Sequence, residues 1–208
     1  MNTEILTEIE GGVCAAKGFK ANGLNCGLNS DKNKNDLGMV ASDVICNAAA
    51  VYTTNKVKGA PILVTKKHLE ASAGKAQAVV VNSKNANTCN ADGEQKAEAI
   101  SELAAKELGI DVNLIIPAST GVIGQILPIE PFENNMHDLV AGLDYDKNGL
   151  AANAIMTTDT VKKEAAVSFK IGDKVCHLGG MAKGSGMIHP NMATTLNFIT
   201  TDVAISPK

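Results

Sequence analysis

The sequence predicts an α/β protein of the mixed α+β kind, and three observations carry the prediction. Short apolar runs of strand length mix with segments of helical period, but without a strict strand–helix–strand rhythm. That favours a mixed sheet over a doubly wound parallel one. Val167, Phe169 and Ile171 alternate with Ser168 and Lys170 ahead of Gly172-Asp173, a two-residue hairpin turn with Val175 and Cys176 opening the return strand. Finally, 208 residues with 45% apolar side chains can bury a sizeable core, in one large domain or two small ones.

The elements follow in order. Residues 11–37 are rich in Gly, Asn and Lys and show no clear period, which suits a strand or two with long loops; 29–36 (NSDKNKND) reads as a polar tip. Residues 38–46 and 61–65 (PILVT) read as buried strands. Ala78-Val79-Val80-Val81 is a β-branched run that stops at Asn82, before the Asn-rich loop 82–93. Asp92, with Gln95 three residues later, has capping-box spacing. The helix that follows, about 93–108, lines up Ala97, Ile100, Leu103, Ala104 and Leu108 on one face and stops at Gly109. Leu114-Ile115-Ile116 is a buried strand running into PASTGVIG (117–124), and 131–143 and 148–156 have helical spacing. A Gly-rich stretch, 179–192, precedes a last strand-like segment, 193–205.

Composition excludes several functions. All 19 basic residues are lysine, Trp is absent, and the chain has 2 Tyr and 4 Phe with a net charge of −3. Arg forks and aromatic faces are the tools of nucleic-acid readers, so no nucleic-acid partner is expected. No apolar run reaches the length of a membrane span, and the acidic start MNTEILTEIEGG is no signal peptide. The five cysteines (14, 26, 46, 89 and 176) form no CxxC pair and read as reduced thiols of a cytoplasmic protein. His68, His137, His177 and His189 have no metal-ligand spacing, so no metal is expected. His177 reads as pointing off a hairpin strand and His189 as a loop residue. GGMAKGSG fails as a phosphate loop, because Lys183 precedes Gly184 instead of following it, and GSGMIH lacks the third glycine of a dinucleotide fingerprint.

One stretch can carry chemistry. In 179–196 a Gly-rich segment with one lysine leads through Pro-Asn-Met-Ala to Thr194-Thr195. A small residue before a hydroxyl residue in a tight turn suits self-cleavage, the hydroxyl attacking the preceding carbonyl to give an ester that water hydrolyses. The free α-amine so released has a pKa of about 7.7–8.0 and serves as general base to its own hydroxyl. A Gly turn ahead of an ordinary strand is the plainer reading, and the residues alone leave it open.

GGMAKGSGMIHPNMATTLNFITTD (179–202) resembles the self-processing segment of the ornithine acetyltransferase family of arginine biosynthesis, which cleaves at an Ala-Thr bond into an α and a β chain. GGVCAAKGFKANGL (11–24), SDVICNAAAVYTTNKVKGAP (42–61), VNSKNAN (81–87), PASTGVIGQILP (117–128) and IMTTDT (155–160) extend the resemblance over essentially the whole chain. It departs at Thr195, where the family usually has Met. The resemblance implies a layered α/β/β/α arrangement with mixed sheets, in a self-processing N-terminal-threonine enzyme. Residues 1–193 would be the α chain and 194–208 the start of the β chain, with the cleavage site at Ala193-Thr194. Thr194 would be the nucleophile of both self-cleavage and acetyl transfer, and Thr120 and Gly121 the catalytic oxyanion pair. Thr157 and Lys183 would bind substrate together with Thr194. NSKNAN reads as structural. Without arginine, a substrate carboxylate would have to meet a lysine, hydroxyls and backbone N–H groups, which favours Lys183.

The implied reaction is transfer of the acetyl group of N2-acetyl-L-ornithine to L-glutamate through an acetyl-threonine intermediate, with ping-pong kinetics. No cofactor is expected; acetyl-CoA, accepted by some members of the family, stays open as a co-substrate. The chain ends soon after Thr194, so a β chain is the expected partner, in a heterotetramer of two α and two β chains. Two rivals stand beside this reading. One is a self-processing aminopeptidase or amidohydrolase of similar fold, in which water takes the acyl group. The other is an inactive subunit with a scaffold role.

Overall fold

The computed structural model describes residues 6–186 and 194–206. Two four-stranded sheets lie face to face. The first runs β2 (Phe19–Leu24), β3 (Leu37–Asn47), β4 (Lys75–Asn82) and β5 (Ile115–Ser119) in that order, and the second runs β1 (Thr7–Glu8), β6 (Lys163–Ile171), β7 (Lys174–Lys183) and β8 (Leu196–Thr201). The mixed character rests on a single parallel pair, β4–β5; the other strand pairs are antiparallel. The helix between β4 and β5 makes the crossover that a parallel pair requires.

Three helices, α1 (Ala60–Ala71), α2 (Gly93–Leu108) and α3 (Glu130–Ala141), belong to the outer layer on the first sheet. Period-two alternation divides the strands between two cores. Met39, Ala41, Ala78, Val80 and Ile115 pack against Ile100 and Ala104 of α2 and Phe132, Met136 and Leu139 of α3. Val40 and Val81 point the other way, into the space between the sheets. There they meet Val13, Met181 and the small face of α4 (Asn148–Ala154), namely Ala151 and Ala152. Helices, sheet and sheet thus supply three of the expected layers. On the far face of the second sheet Leu178 and Ile199 stay 38% and 71% exposed, and no helix covers them among the described residues.

The structure corrects three local expectations. PILVT (61–65) is not a strand but lies in α1. Pro61 stands in the first turn, where no backbone N–H is required, and the residues after it continue the helix. α2 does start after Asp92 and does end at Gly109, whose φ of 69° closes the helix. The capping box is not formed, however, since no side-chain cap bond is made by Asp92. The Gly172-Asp173 hairpin is as expected, joining β6 to β7. His177 does not simply point off its strand: its Nδ1 lies 2.6 Å from Asp202 Oδ2 and its N–H donates to Oδ1 at 2.8 Å. No helix among the described residues is long and apolar enough to cross a membrane.

Candidate active site

Lys183 ends β7 on the inward face shared with Met181, and it is only 5% exposed. Its Nζ donates to the Thr194 carbonyl at 3.1 Å. Burial pushes the ammonium below the ordinary lysine range, against the opposing pull of Asp159 and with help from nearby Lys163. Thr194 itself is exposed and has φ of 68°. A β-branched residue in that left-handed region carries strain on the order of 1–3 kcal/mol, and such strain clusters at functional sites.

Asp159, beyond α4, holds this corner together. Its Oδ1 accepts from Lys163 Nζ at 2.6 Å and from the Gly184 N–H at 3.3 Å, and its Oδ2 accepts from the Thr157 N–H at 3.4 Å. Burial alone would raise its carboxyl pKa, but these bonds outweigh burial and hold it below the usual carboxylate range. Thr157 is exposed in the same turn.

Thr120 and Gly121 stand on the first sheet, just past the end of β5. The Thr120 and Val122 N–H groups are both taken, by the carbonyls of Asn82 and Lys84 at 3.0 Å each. Between them, the Gly121 N–H has no hydrogen-bond partner among the described residues, and neither has the Thr120 hydroxyl. Gly121 has φ of 135°, and a Cβ there would fall on the Lys84 carbonyl, so only glycine fits.

Lys183, Thr194 and Thr157 are therefore gathered around Asp159, whereas no hydrogen bond among the described residues joins them to Thr120 or Gly121. The two groups share a foundation. Ala118, two residues before Thr120, packs in one cluster with Met181, two before Lys183, and Leu196, two after Thr194. Ala193, half of the expected cleavage site, lies outside the described residues, as does His189. The sequence reading passed over Asp159, although it sits two residues after Thr157 in the motif IMTTDT. A groove of about 720 Å³ opens elsewhere, between α1 and α2 beside Val64, Lys67, Cys89 and Glu98, and holds none of these residues. No group of three or more His, Cys, Asp or Glu among the described residues is placed to hold a metal.

Comparison with known proteins places this geometry in company. The sequence profile of the ArgJ family matches residues 20–208. The arginine biosynthesis bifunctional protein ArgJ of Symbiobacterium thermophilum is 47% identical over 199 residues, which cover 95% of this chain and 49% of that protein. The chloroplastic ArgJ of Oryza sativa subsp. japonica is 46% identical over 202 residues, covering 96% and 43%. The chain thus spans about half the length of the curated relatives it matches. Among solved structures, an arginine biosynthesis bifunctional protein ArgJ from Bacillus halodurans superposes with a TM-score of 0.85 at 39% identity, over 92% of this chain and 100% of that one. Ornithine acetyltransferase from Mycobacterium tuberculosis, complexed with ornithine, gives 0.80 at 34% identity, over 89% and 98%.

Proposed function

The chain belongs to the ArgJ family, and from that premise we propose that it forms the nucleophile-bearing half of an acetyltransferase in L-arginine biosynthesis. The reaction moves the acetyl group of N2-acetyl-L-ornithine to L-glutamate. One observation carries the reading: Thr194 sits in a strained left-handed conformation beside a buried lysine. The core beneath it also underlies a turn whose Thr120 hydroxyl and Gly121 N–H have no hydrogen-bond partner among the described residues.

Self-cleavage comes first. Thr194 Oγ attacks the Ala193 carbonyl carbon, the C–N bond breaks, and the nitrogen takes up the proton as an amine. Water then hydrolyses the ester, leaving a carboxylate on Ala193 and a free hydroxyl and amine on Thr194. Strain at φ 68° favours this shift, because cutting the bond removes the constraint. The solved relatives support a divided chain. This chain covers 100% and 98% of the matched chains in those structures, yet only about half of the full-length relatives.

In turnover the neutral Thr194 amine takes the proton from its own hydroxyl as Oγ attacks the acetyl carbonyl. The oxyanion that forms is met by the Thr120 hydroxyl and the Gly121 N–H. Collapse releases ornithine, whose departing nitrogen takes the proton from the Thr194 ammonium. Glutamate then enters, its amine attacks the acetyl ester, and Thr194 Oγ regains a proton as N-acetylglutamate leaves. Lys183 and the Thr157 turn bind the substrate's polar groups, which both substrates share. The ornithine complex of the mycobacterial relative supports a ligand of this class. The chemistry uses no metal or redox cofactor. Relatives named bifunctional support a second activity, for which acetyl-CoA as co-substrate is our reading.

The C-terminal half completes the enzyme as a β chain in an αβ unit, two such units making a heterotetramer in the cytoplasm. The uncovered apolar face of the second sheet supports a partner layer there. Incubating the full-length protein with N2-acetyl-L-ornithine and L-glutamate tests the activity. N-acetylglutamate should accumulate; release of acetate alone would point to the amidohydrolase, which the relatives' names do not favour.

A further inference from the structure

The Asn-rich loop between β4 and α2 enters none of the steps above, yet its buried asparagines make many hydrogen bonds. Asn82, Ser83, Asn85 and Asn87 are 2%, 0%, 6% and 0% exposed. Lys84, Asn87 and Cys89 adopt φ of 73°, 45° and 62°, three left-handed non-glycine residues within one loop. Strain of this kind persists only where the surroundings over-determine it.

What the loop holds is the Thr120–Gly121 turn. Thr120 N–H bonds to Asn82 O and Val122 N–H to Lys84 O, each at 3.0 Å, and Ala86 N–H returns a bond to Val122 O at 2.9 Å. Residues 120 and 122 are thus tied down on the loop side, while the Gly121 N–H between them has no hydrogen-bond partner among the described residues. Two asparagine side chains lock the frame. Asn85 Oδ1 accepts from the Asn87 N–H at 2.8 Å, while its Nδ2 donates to Gln125 O and Ile126 O at 3.1 and 3.3 Å, spanning loop and turn. Asn82 Oδ1 accepts from the Ser119 hydroxyl at 2.6 Å, and its Nδ2 donates to Ser83 O and Asn85 O at 3.0 and 2.9 Å. An amide suits both places, since each needs one acceptor and two donors on one planar group.

We infer that loop 82–90 is the device that aims the oxyanion donors, with Asn85 and Asn82 as its positioning residues. The inference rests on the assignment of Thr120 and Gly121 to the oxyanion. Such donors act through placement, within about 0.5 Å of the productive geometry. A turn built on a glycine with φ of 135° has little stiffness of its own, and the loop supplies it.

Steady-state kinetics of the full-length protein with N2-acetyl-L-ornithine and L-glutamate test this. Asn85→Asp keeps the size and the Oδ1 acceptor but loses the Nδ2 donors. It should lower kcat by roughly 10²-fold, the range for losing one oxyanion donor, with KM unchanged. Combined with Thr120→Ala, it should cost less than the product of the two single losses, because both act through one group. Ser119→Ala, a milder cut in the same frame, should lower kcat in the same direction, and Ser119→Thr, which keeps the hydroxyl, should restore it. The Ser119 pair decides the matter if Asn85→Asp does not fold. A Thr120→Ala enzyme with unchanged kcat would remove the oxyanion assignment beneath the inference. Thr120→Ala slow, with folded Asn85→Asp or Ser119→Ala at full kcat, would overturn the inference alone. So would losses that multiply independently or fall on KM.

Discussion

Thr194 and Thr195 stand side by side just before β8, Thr194 exposed with φ of 68°. The proposal gives the chemistry to Thr194, whose hydroxyl, once cut free, sits next to its own amine. Thr194→Ala should abolish both processing and acetyl transfer, whereas Thr195→Ala should still be processed and keep substantial turnover; a processed and active Thr194→Ala protein would show the assignment to be off by one. The pH profile reports the same residue. The Thr194 amine must be neutral to act, so kcat/KM should fall as pH drops below about 7–8. A cationic Lys183 beside it disfavours a second positive charge and moves that limb to lower pH. A rate flat down to about pH 5 would count against the amine as base. Thr120→Ala should lower kcat by roughly 10²–10³-fold with little change in KM. The motif residues were legible in the sequence because their wording is specific. That Lys183 is buried was not, because its burial comes from its inward-facing place at the end of β7. Asp159 escaped for a similar reason: its partners Lys163 and Gly184 come from the strand pair β6–β7 and its end, which no local pattern reveals.

At the scale of elements, β8, which begins two residues after Thr194, is tied to β7 beyond its ladder. Asp202, directly after β8, accepts from the His177 N–H, the His177 ring and the Lys17 N–H. Burial would raise the Asp202 carboxyl pKa, but these bonds outweigh it and hold the carboxyl below the usual carboxylate range. A folded-state value below the unfolded one, near 3.9, means stability that is fully present above that pH and lost as pH falls through the folded value. Asp202→Ala should therefore cost about 1.5–3 kcal/mol in urea unfolding at pH 7, the range for hydrogen bonds to a charged group. The difference from the parent should vanish as pH falls well below about 4. A constant difference across that range would remove the carboxylate's charge from the account. Elements with strong local signals were readable: the alternation of β6 with its Gly172-Asp173 turn, and the face of α2 closed by Gly109. PILVT was not, because a five-residue apolar run has no period of its own and only the helical turns after it decide between strand and helix. The capping-box spacing at Asp92 was present in the sequence without the bond it predicts, since the loop before it is held by Asn87 Nδ2 on the Gly93 carbonyl at 2.8 Å.

For the molecule as a whole, three layers are in place and nothing among the described residues covers the far face of the second sheet, where Leu178 and Ile199 stand out. The 208-residue chain expressed alone should self-associate and bind a hydrophobic dye, and co-expression with the C-terminal half should suppress both. A well-behaved monomer with no dye binding would remove the need for a covering partner. An N-terminal threonine that carries the acetyl group is visible by mass. Intact mass spectrometry of the active full-length protein, quenched during turnover of N2-acetyl-L-ornithine without glutamate, should show two chains, the second starting Thr-Thr-Leu-Asn and bearing the mass of one acetyl group on Thr194, which is lost when glutamate is added. A single uncut chain in fully active enzyme, or a second chain starting at Thr195, would contradict the proposal.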